Sequence, residues 1–518
     1  MAKIISGRFI LLNDTYKSLL IMAVIFLLLP LFSIAQNRGN VWCFGDSAGI
    51  DFNNINSPVP IETGLRSRGS CVSICDTSGF LLFYAGDRTN IPNPFGYSTL
   101  VYDSTHNMMP NGDTIVGEGW YNELAIIPFP NNDSLYYLFS VSLLGTLGLY
   151  YSVIDINANN GLGDVILKNI KLKAFDQVDC LTPVKHGNGR DWWLFFRKWN
   201  SNLTPNNEFH SYLITPAGII NYHVQNIGAM ETTNLGKMVF NNTADRLAYV
   251  NERSLFELYN FDRCTGVISQ PINIFQEPAT GPYNTYFFSE FSPSSTILYM
   301  TVNEDTSYLL QFDLNAANIA ASCDTLWSSN GFPQYCIGAL KRGPDNKIYL
   351  SNAYYDGIQF PYPYPDSVYN MYNMNLGVIN SPDSLGAACN FQPYSFYLGG
   401  KRTYWGLPNN PDYDLGPLTG SICDTLTAIE NVQIDKGELL VSYITAWQKT
   451  FINAQHLKGN TYTLTVTDVM GRQVFKERGA LRSPYFTKDL DCSMLAHGMY
   501  IINLTTNKER VTGKFIKE

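Results

Sequence analysis

Charge is scarce in this chain: 15% of its 518 residues are Asp, Glu, Lys or Arg, and six are histidine. The 35 basic and 44 acidic side chains give a net charge of −9, and the basic ones form no cluster. A nucleic-acid binder needs Lys and Arg to replace counterions, so no nucleic-acid partner is expected. After residue 34 there is no apolar run long enough to span a bilayer, so no transmembrane segment is expected in the mature protein. No H-E-x-x-H occurs, and His106, His186, His210 and His223 are scattered, with His186 in a hairpin turn. Gly161-Leu162-Gly163 has no helix pattern after it, which makes it a turn and not a nucleotide loop. Cys71 and Cys75 have no second pair at matching spacing, and their segment reads as a strand, which excludes a zinc knuckle.

What the chain has in quantity is aromatic residues, at 14%, together with Gly, Asn and Thr, a composition that suits a large all-β surface. Its first 35 residues stand apart. Lys3, Arg8 and Lys17 precede an apolar run from Leu19 to Ile34, and Ser33-Ile34-Ala35 places small residues before Gln36. This is a signal peptide with cleavage between Ala35 and Gln36. The alternative, a retained anchor, asks for about 20 apolar residues, more than the run contains. No cysteine follows the cleavage site, so a lipoprotein is not expected. Export permits disulfides among the ten cysteines, and buried free thiols are the competing reading; spacing does not decide the pairings.

A hairpin signal recurs along the chain: a strand, a turn of Gly, Asn, Asp, Ser or Pro, then an aromatic-rich strand. The turns Asp76–Gly79, Pro130–Asp133, Gly187–Arg190, Asn242–Asp245, Ser292–Ser295 and Gly343–Asn346 follow one another at intervals of about 50 to 57 residues. Each unit holds a third strand, such as Leu149–Ile156 or Leu255–Asp262, and most hold a fourth, such as Val165–Leu172. Four antiparallel strands per repeat describe a propeller blade. Residues 41–61 read as strands lacking a first member, and Thr403–Pro408 reads as a first strand lacking the others. Pairing the two ends closes a propeller of about seven blades and removes two open sheet edges. The expected organisation is a signal peptide over 1–35, a β-propeller over 36–410, a linker over 411–430, and a small β-sandwich-like domain over 431–518.

The propeller region resembles a family of exported propellers common in the Bacteroidetes. The resemblance rests on Phe44–Phe52, Tyr150–Asp155, Gly161–Val165, Val184–His186 and Leu398–Lys401. It implies a fold and an exported life, and no particular activity. The C-terminal region resembles the type A sorting domain of the type IX secretion system through Asp468-Val469-Met470-Gly471-Arg472, Leu490-Asp491, Gly498-Met499-Tyr500 and Gly513-Lys514-Phe515. That resemblance implies passage through the Sec translocon and then recognition by the type IX machinery. Cargo of this kind is released or attached to the outer cell surface. The alternative is an ordinary β-sandwich adhesion module.

Candidate chemistry falls in three places. Aligning the repeats on their turns puts Glu123 and Asp179 at equivalent positions entering first strands, with Asn122 adjacent and Glu290 in another first strand. Oxygen donors of this kind suit Ca²⁺ near the axis, and solvated or paired acids are the plain alternative. Ser47 and Ser70 have small neighbours, yet no G-x-S-x-G elbow is expected, and the strand–turn–helix which that motif needs is lacking. The insertion between Tyr354 and Asn375 carries Tyr354, Tyr355, Tyr362 and Tyr364 among prolines, and Trp120 and Tyr121 precede the second unit. Stiffened aromatic loops suit glycan or protein binding; the alternative is a loop folded onto its own blade. The expected function is a secreted or surface binding protein for a glycan or protein ligand. The competing readings are a lactonase-like or glycoside-directed hydrolase using the axial acids, and a structural role in a surface layer or motility machinery.

Overall fold

Local chemistry starts each hairpin. The Asp76 carboxylate accepts the N–H groups of Ser78 and Phe80 (2.8 and 3.0 Å), and the chain reverses into the apolar run Leu81-Leu82-Phe83-Tyr84. The computed structural model describes residues 37–88, 98–143, 148–276, 286–303, 306–329, 335–354, 367–424, 437–445 and 448–517. The signal segment with Ala35 and Gln36, and the tyrosines Tyr355, Tyr362 and Tyr364, lie outside the described residues.

Among the described residues, seven antiparallel sheets follow one another from Val41 to Tyr397. The first holds β1 (Val41–Phe44), β2 (Asp46–Asp51) and β3 (Val59–Arg66). The second holds β4 (Cys71–Cys75), β5 (Leu81–Arg88), β6 (Ser98–Asp103) and β7 (Ile115–Val116). The third holds β8 (Leu124–Pro128), β9 (Leu135–Ser142), β10 (Gly148–Asp155) and β11 (Asp164–Lys173). The fourth holds β12 (Thr182–Lys185), β13 (Trp192–Arg197), β14 (Asn206–Thr215) and β15 (Gly218–Glu231). The fifth holds β16 (Gly236–Phe240), β17 (Arg246–Asn251), β18 (Phe256–Asp262) and β19 (Val267–Phe275). The sixth holds β20 (Tyr286–Phe291), β21 (Ile297–Val302), β22 (Tyr308–Asp313) and β23 (Asp324–Ser328). The seventh holds β24 (Tyr335–Arg342), β25 (Ile348–Tyr354), β26 (Asn375–Ile379) and β27 (Phe391–Tyr397).

The strands β4, β8, β12, β16, β20 and β24 lie innermost and touch in that order. Second strands such as β9, β13 and β21 are buried at every position, because neighbouring sheets cover both of their faces. The first sheet packs on the second and also on the seventh, where Trp42 and Phe52 meet Tyr349 edge-on at 5.7 and 5.4 Å. The row of sheets is therefore a closed β-propeller.

Closure differs from the expected strand at Thr403–Pro408. The one bridge is made by the residue before that segment, Arg402 to Asp46, backed by the Arg402 guanidinium on the Asp46 carboxylate. Beyond the bridge the chain bends: Trp405 receives Ala339 N–H on its carbonyl (2.8 Å) and donates to Arg68 (3.1 Å). Gly406 lies so close to Gly69 that any Cβ would overlap its backbone, and the chain turns inward instead of extending the sheet.

The C-terminal domain packs two sheets face to face. One holds β28 (Glu438–Ile444), β29 (Lys449–Gln455) and β32 (Phe486–Asp491). The other holds β30 (Thr461–Asp468), β31 (Gln473–Ala480), β33 (Gly498–Thr506) and β34 (Arg510–Lys517). Ile452, Leu464, Val466, Ile502, Leu504 and Phe515 form the core between them.

Candidate functional site

The loop from β7 to β8, Gly117-Glu118-Gly119-Trp120-Tyr121-Asn122-Glu123, has main-chain N–H groups that no strand satisfies. Three buried carboxyl groups take them. Glu123 folds back to accept from Glu118, Gly119 and Trp120 at 3.1, 3.0 and 3.2 Å. Asp179 accepts from Tyr121 and Asn122 at 2.8 and 2.7 Å, and Asp87 accepts from Gly119 and from the Thr99 hydroxyl. The Ser70 hydroxyl receives the N–H groups of Glu123 and Leu124, both at 3.1 Å.

Asp87, Glu123 and Asp179 are all fully buried. Burial raises each pKa, and for Asp179 the result is about 7. The neighbouring Asp87 carboxyl group adds to the rise at Glu123 after burial. The sequence-predicted pair Glu123 and Asp179 is thus brought together, with Asp87 and Glu118 added. Glu290 is engaged elsewhere: its carboxylate accepts from Phe291 and Arg342 N–H at 3.1 and 3.2 Å. Among the described residues no group of three or more His, Cys, Asp or Glu side chains is placed to hold a metal ion.

The axis itself carries protein chain. Residues 405–424, of which 411–424 belong to the segment expected to be a linker, run past the innermost strands of several sheets. Asn409 donates its amide protons to the carbonyls of Leu124 (3.0 Å) and Leu181 (2.8 Å), and its main-chain N–H to Cys71 (2.8 Å). Lys237 bridges the side-chain oxygens of Asn122 and Asn409, both at 2.9 Å. Enclosure, with Lys341 nearby, lowers its pKa to about 8. Asn410 pairs with the Ser73 main chain and hydroxyl, and its carbonyl receives Lys341 (2.8 Å).

Further on, Lys185 donates to the Tyr413 carbonyl (2.8 Å), and Arg263 to that of Gly416 (2.6 Å). Leu418 N–H bonds Gly187 (2.7 Å), and a disulfide joins Cys264 to Cys423. His186 is absorbed in the same turn, with Nδ1 accepting from Asn188 N–H and Nε2 against the Cys264 carbonyl. The roles of Asp87, Lys237, Lys341 and Asn409 were not visible in the sequence. The one available signal was Pro408-Asn409-Asn410-Pro411, a stiff polar stretch.

Aromatic groups gather where this segment enters. Tyr121 meets Phe288, Trp405 and Trp120 at 6.2 to 6.4 Å, and Arg68 lies over its ring and bonds its hydroxyl (3.3 Å). Trp120 is partly buried and Tyr121 is buried. Tyr354 belongs to a second group, parallel to Tyr372 at 6.4 Å, with Tyr372 edge-on to Tyr394 (5.1 Å) and Tyr394 to Trp327 (6.1 Å). All four of those rings are partly exposed.

Ser47 calls for a correction of a different kind. Gly45-Asp46-Ser47-Ala48-Gly49 has the G-x-S-x-G spacing, and Ser47 has a φ of +59°. It occupies a bulge in β2 between two antiparallel strands, with no helix after it, so the strained turn of a nucleophile elbow is not formed.

In the C-terminal domain the motif residues share one sheet and its turn, except Leu490 and Asp491, which end β32 of the other sheet. Asp468 accepts from Met470 and Arg472 N–H (3.0 and 2.9 Å) and pairs with the Arg472 side chain, while Gly471 takes the φ of +79° that the turn needs. Tyr500 is buried against Phe515, its hydroxyl on the Ala496 carbonyl (2.8 Å). Gly498 opens β33, and Gly513 lets β34 approach β28, since a Cβ there would lie 2.8 Å from Val441. Lys514 is exposed.

Residues 448–518 match the family described as the secretion system C-terminal sorting domain. No curated protein matches the chain. Among solved structures, a putative 6-phosphogluconolactonase from Bacteroides fragilis is similar at 10% identity over 72% of this chain and 98% of that one, with a TM-score of 0.42. A periplasmic gluconolactonase from Pseudomonas aeruginosa is similar at 10% identity over 79% and 99%, with a TM-score of 0.36. An auxiliary nutrient binding protein from Bacteroides thetaiotaomicron is similar at 8% identity over 55% and 66%, with a TM-score of 0.34. These overlaps carry no inference about activity. The sorting domain at its C-terminal end and the propeller before it make this chain an exported β-propeller protein, carried by type IX secretion to the cell surface or beyond it.

Proposed function

We propose that this exported propeller is a binding protein whose ligand, a glycan or a protein, is met by its aromatic surface. One observation carries the reading: the carboxyl groups of Glu123 and Asp179 hold main-chain N–H groups of the β7–β8 loop, and Asn409 and its neighbours lie along the axis. A hydrolase would need those acids turned toward a substrate, and a Ca²⁺ site would need their oxygens for the ion. The part-exposed rings of Trp327, Tyr354, Tyr372 and Tyr394 supply stiff contact area with little ordering cost, as does Trp120 at the axial mouth.

The test is a glycan array and a surface-protein pull-down with the full chain, beside a screen of lactones, esters and glycosides. The reading expects saturable binding, weakened about tenfold by Tyr354→Ala or Tyr372→Ala, as for loss of a well-packed aromatic contact. Turnover abolished by Glu123→Gln in a folded protein would replace it with the hydrolase reading.

A further inference from the structure

The outermost strand of the third sheet, β11, carries a defect with a partner. Asn169 sits at φ +57°, and the ladder to β10 passes from Leu167 to Ile170 without pairing Lys168. Asn169 is spent on the second sheet, accepting Val116 N–H (2.9 Å) and donating to the Thr114 carbonyl (2.8 Å). That leaves both main-chain groups of Lys168 directed outward, and the sorting domain takes both. Lys168 N–H donates to Asn453 Oδ1 (2.9 Å), and Asn453 Nδ2 donates to the Lys168 carbonyl (2.9 Å). Asn453 is fully buried in β29, and the Thr487 hydroxyl of β32 orients it (2.8 Å). One carboxamide does here what an added strand does at a sheet edge.

The Lys168 side chain, 2% exposed, closes the same junction. Its ammonium meets Asp489 of the sorting domain and Asp113 of the propeller, each at 3.3 Å, and donates to the carbonyls of Asn111 and Asp113. Beside it Val116 and Tyr150 of the propeller bury Ile444 and Phe451 of the sorting domain. β11 touches β28, β29 and β32, whereas Asp468, Arg472, Tyr500 and Lys514 lie on the other sheet or its turn. Met470, in that turn, is 88% exposed. The domain is docked by one sheet, which also carries Leu490 and Asp491, and presents the Asp468–Arg472 turn and the motif residues of β33 and β34 on the other.

The geometry points to a latch: the sorting domain is a bound partner of the β11 edge, seated through Lys168, Asn453 and Asp489, and stays bound when the chain joining the two is cut. Release then requires undocking as well as cleavage. A fully buried asparagine whose two polar atoms reach across the junction, and a buried lysine neutralised from both sides, are costs that a mere tether would not carry.

The test uses the full chain with a protease site introduced between Asp424 and Gly437. After cutting, the two pieces should co-elute at micromolar concentration. Asn453→Ala and Asp489→Lys should each weaken the complex about tenfold or more, and Met470→Ala, in the turn of the other sheet, should leave it unchanged. In the uncut protein, amide exchange at Lys168 should be about tenfold or more faster in Asn453→Ala than in wild type, with the amides of β9 and β10 unchanged. Pieces that separate in the wild type, or a Lys168 amide indifferent to Asn453→Ala in a folded protein, would overturn the latch.

Discussion

At the scale of the residue, the acids of the axial loop do architectural work that their burial makes pH-dependent. Asp179 ionises at about 7 in the folded protein because burial disfavours its charge, against 3.8 as a free side chain. The folded state therefore binds more protons than the unfolded chain between these values, and this group's contribution to stability falls as pH rises across that window. Lys237 runs the other way at higher pH: its pKa, lowered to about 8 by enclosure, makes its contribution rise with pH from there towards 10.5. Melting temperatures measured at about pH 5 and about pH 7.5 should favour the lower pH through Asp179, and Asp179→Asn should shrink that difference. An undiminished difference would mean that Asp179 is not enclosed as described.

A second residue-scale case lies in the fourth and fifth sheets. Arg197 is fully buried between the rings of Phe209 (4.3 Å) and Tyr249 (4.5 Å), and its guanidinium is 3.1 Å from Glu231. Tyr249 and Asn251 also donate to Glu231. Glu231→Gln strands the guanidinium and should cost about 3–5 kcal/mol in urea unfolding. A change below about 1 kcal/mol would show that water reaches the pair.

At the scale of the element, what could be read beforehand depended on which force shaped each segment. The recurring hairpins were legible because burial on both faces imposes apolar runs and the turns impose Asp, Asn, Gly and Pro. Glu123 and Asp179 could be paired from the repeat alone, yet their use could not, since accepting main-chain N–H groups leaves no mark on spacing. Strands β29 and β31 are hidden in the sequence. β31, Gln473–Ala480, carries Lys476, Glu477 and Arg478 and is exposed on alternate positions, and the polar residues at both ends of β29 hid its buried centre.

Trp405–Pro408, expected as a strand, and residues 411–424, expected as a linker, have no ladder of their own: contacts to β4, β8, β12, β16 and β24 hold this stretch, and such contacts leave no period in the sequence. Asn409→Ala removes two amide protons from two buried carbonyls and one acceptor from Lys237, and should cost about 2–4 kcal/mol by denaturant unfolding. A neutral result would mean that the segment does not occupy the axis.

At the scale of the whole molecule, three closures make one object. The Arg402–Asp46 bridge joins the ends of the ring, residues 405–416 fill its centre, and Cys264–Cys423 fixes the far end of that filling to the β18–β19 turn. The disulfide lies before the sorting domain begins, so removal of that domain leaves the filled axis intact. With its cysteines separated by 159 positions, its loss should lower stability by roughly 2–5 kcal/mol, seen as a lower urea midpoint for Cys264→Ser. In the proposed reading the filled axis directs recognition to the aromatic surface, and non-reducing peptide mapping of the exported protein tests that filling most directly. The account predicts a single cross-linked peptide joining Cys264 to Cys423; free thiols at both positions, or either cysteine paired elsewhere, would contradict it.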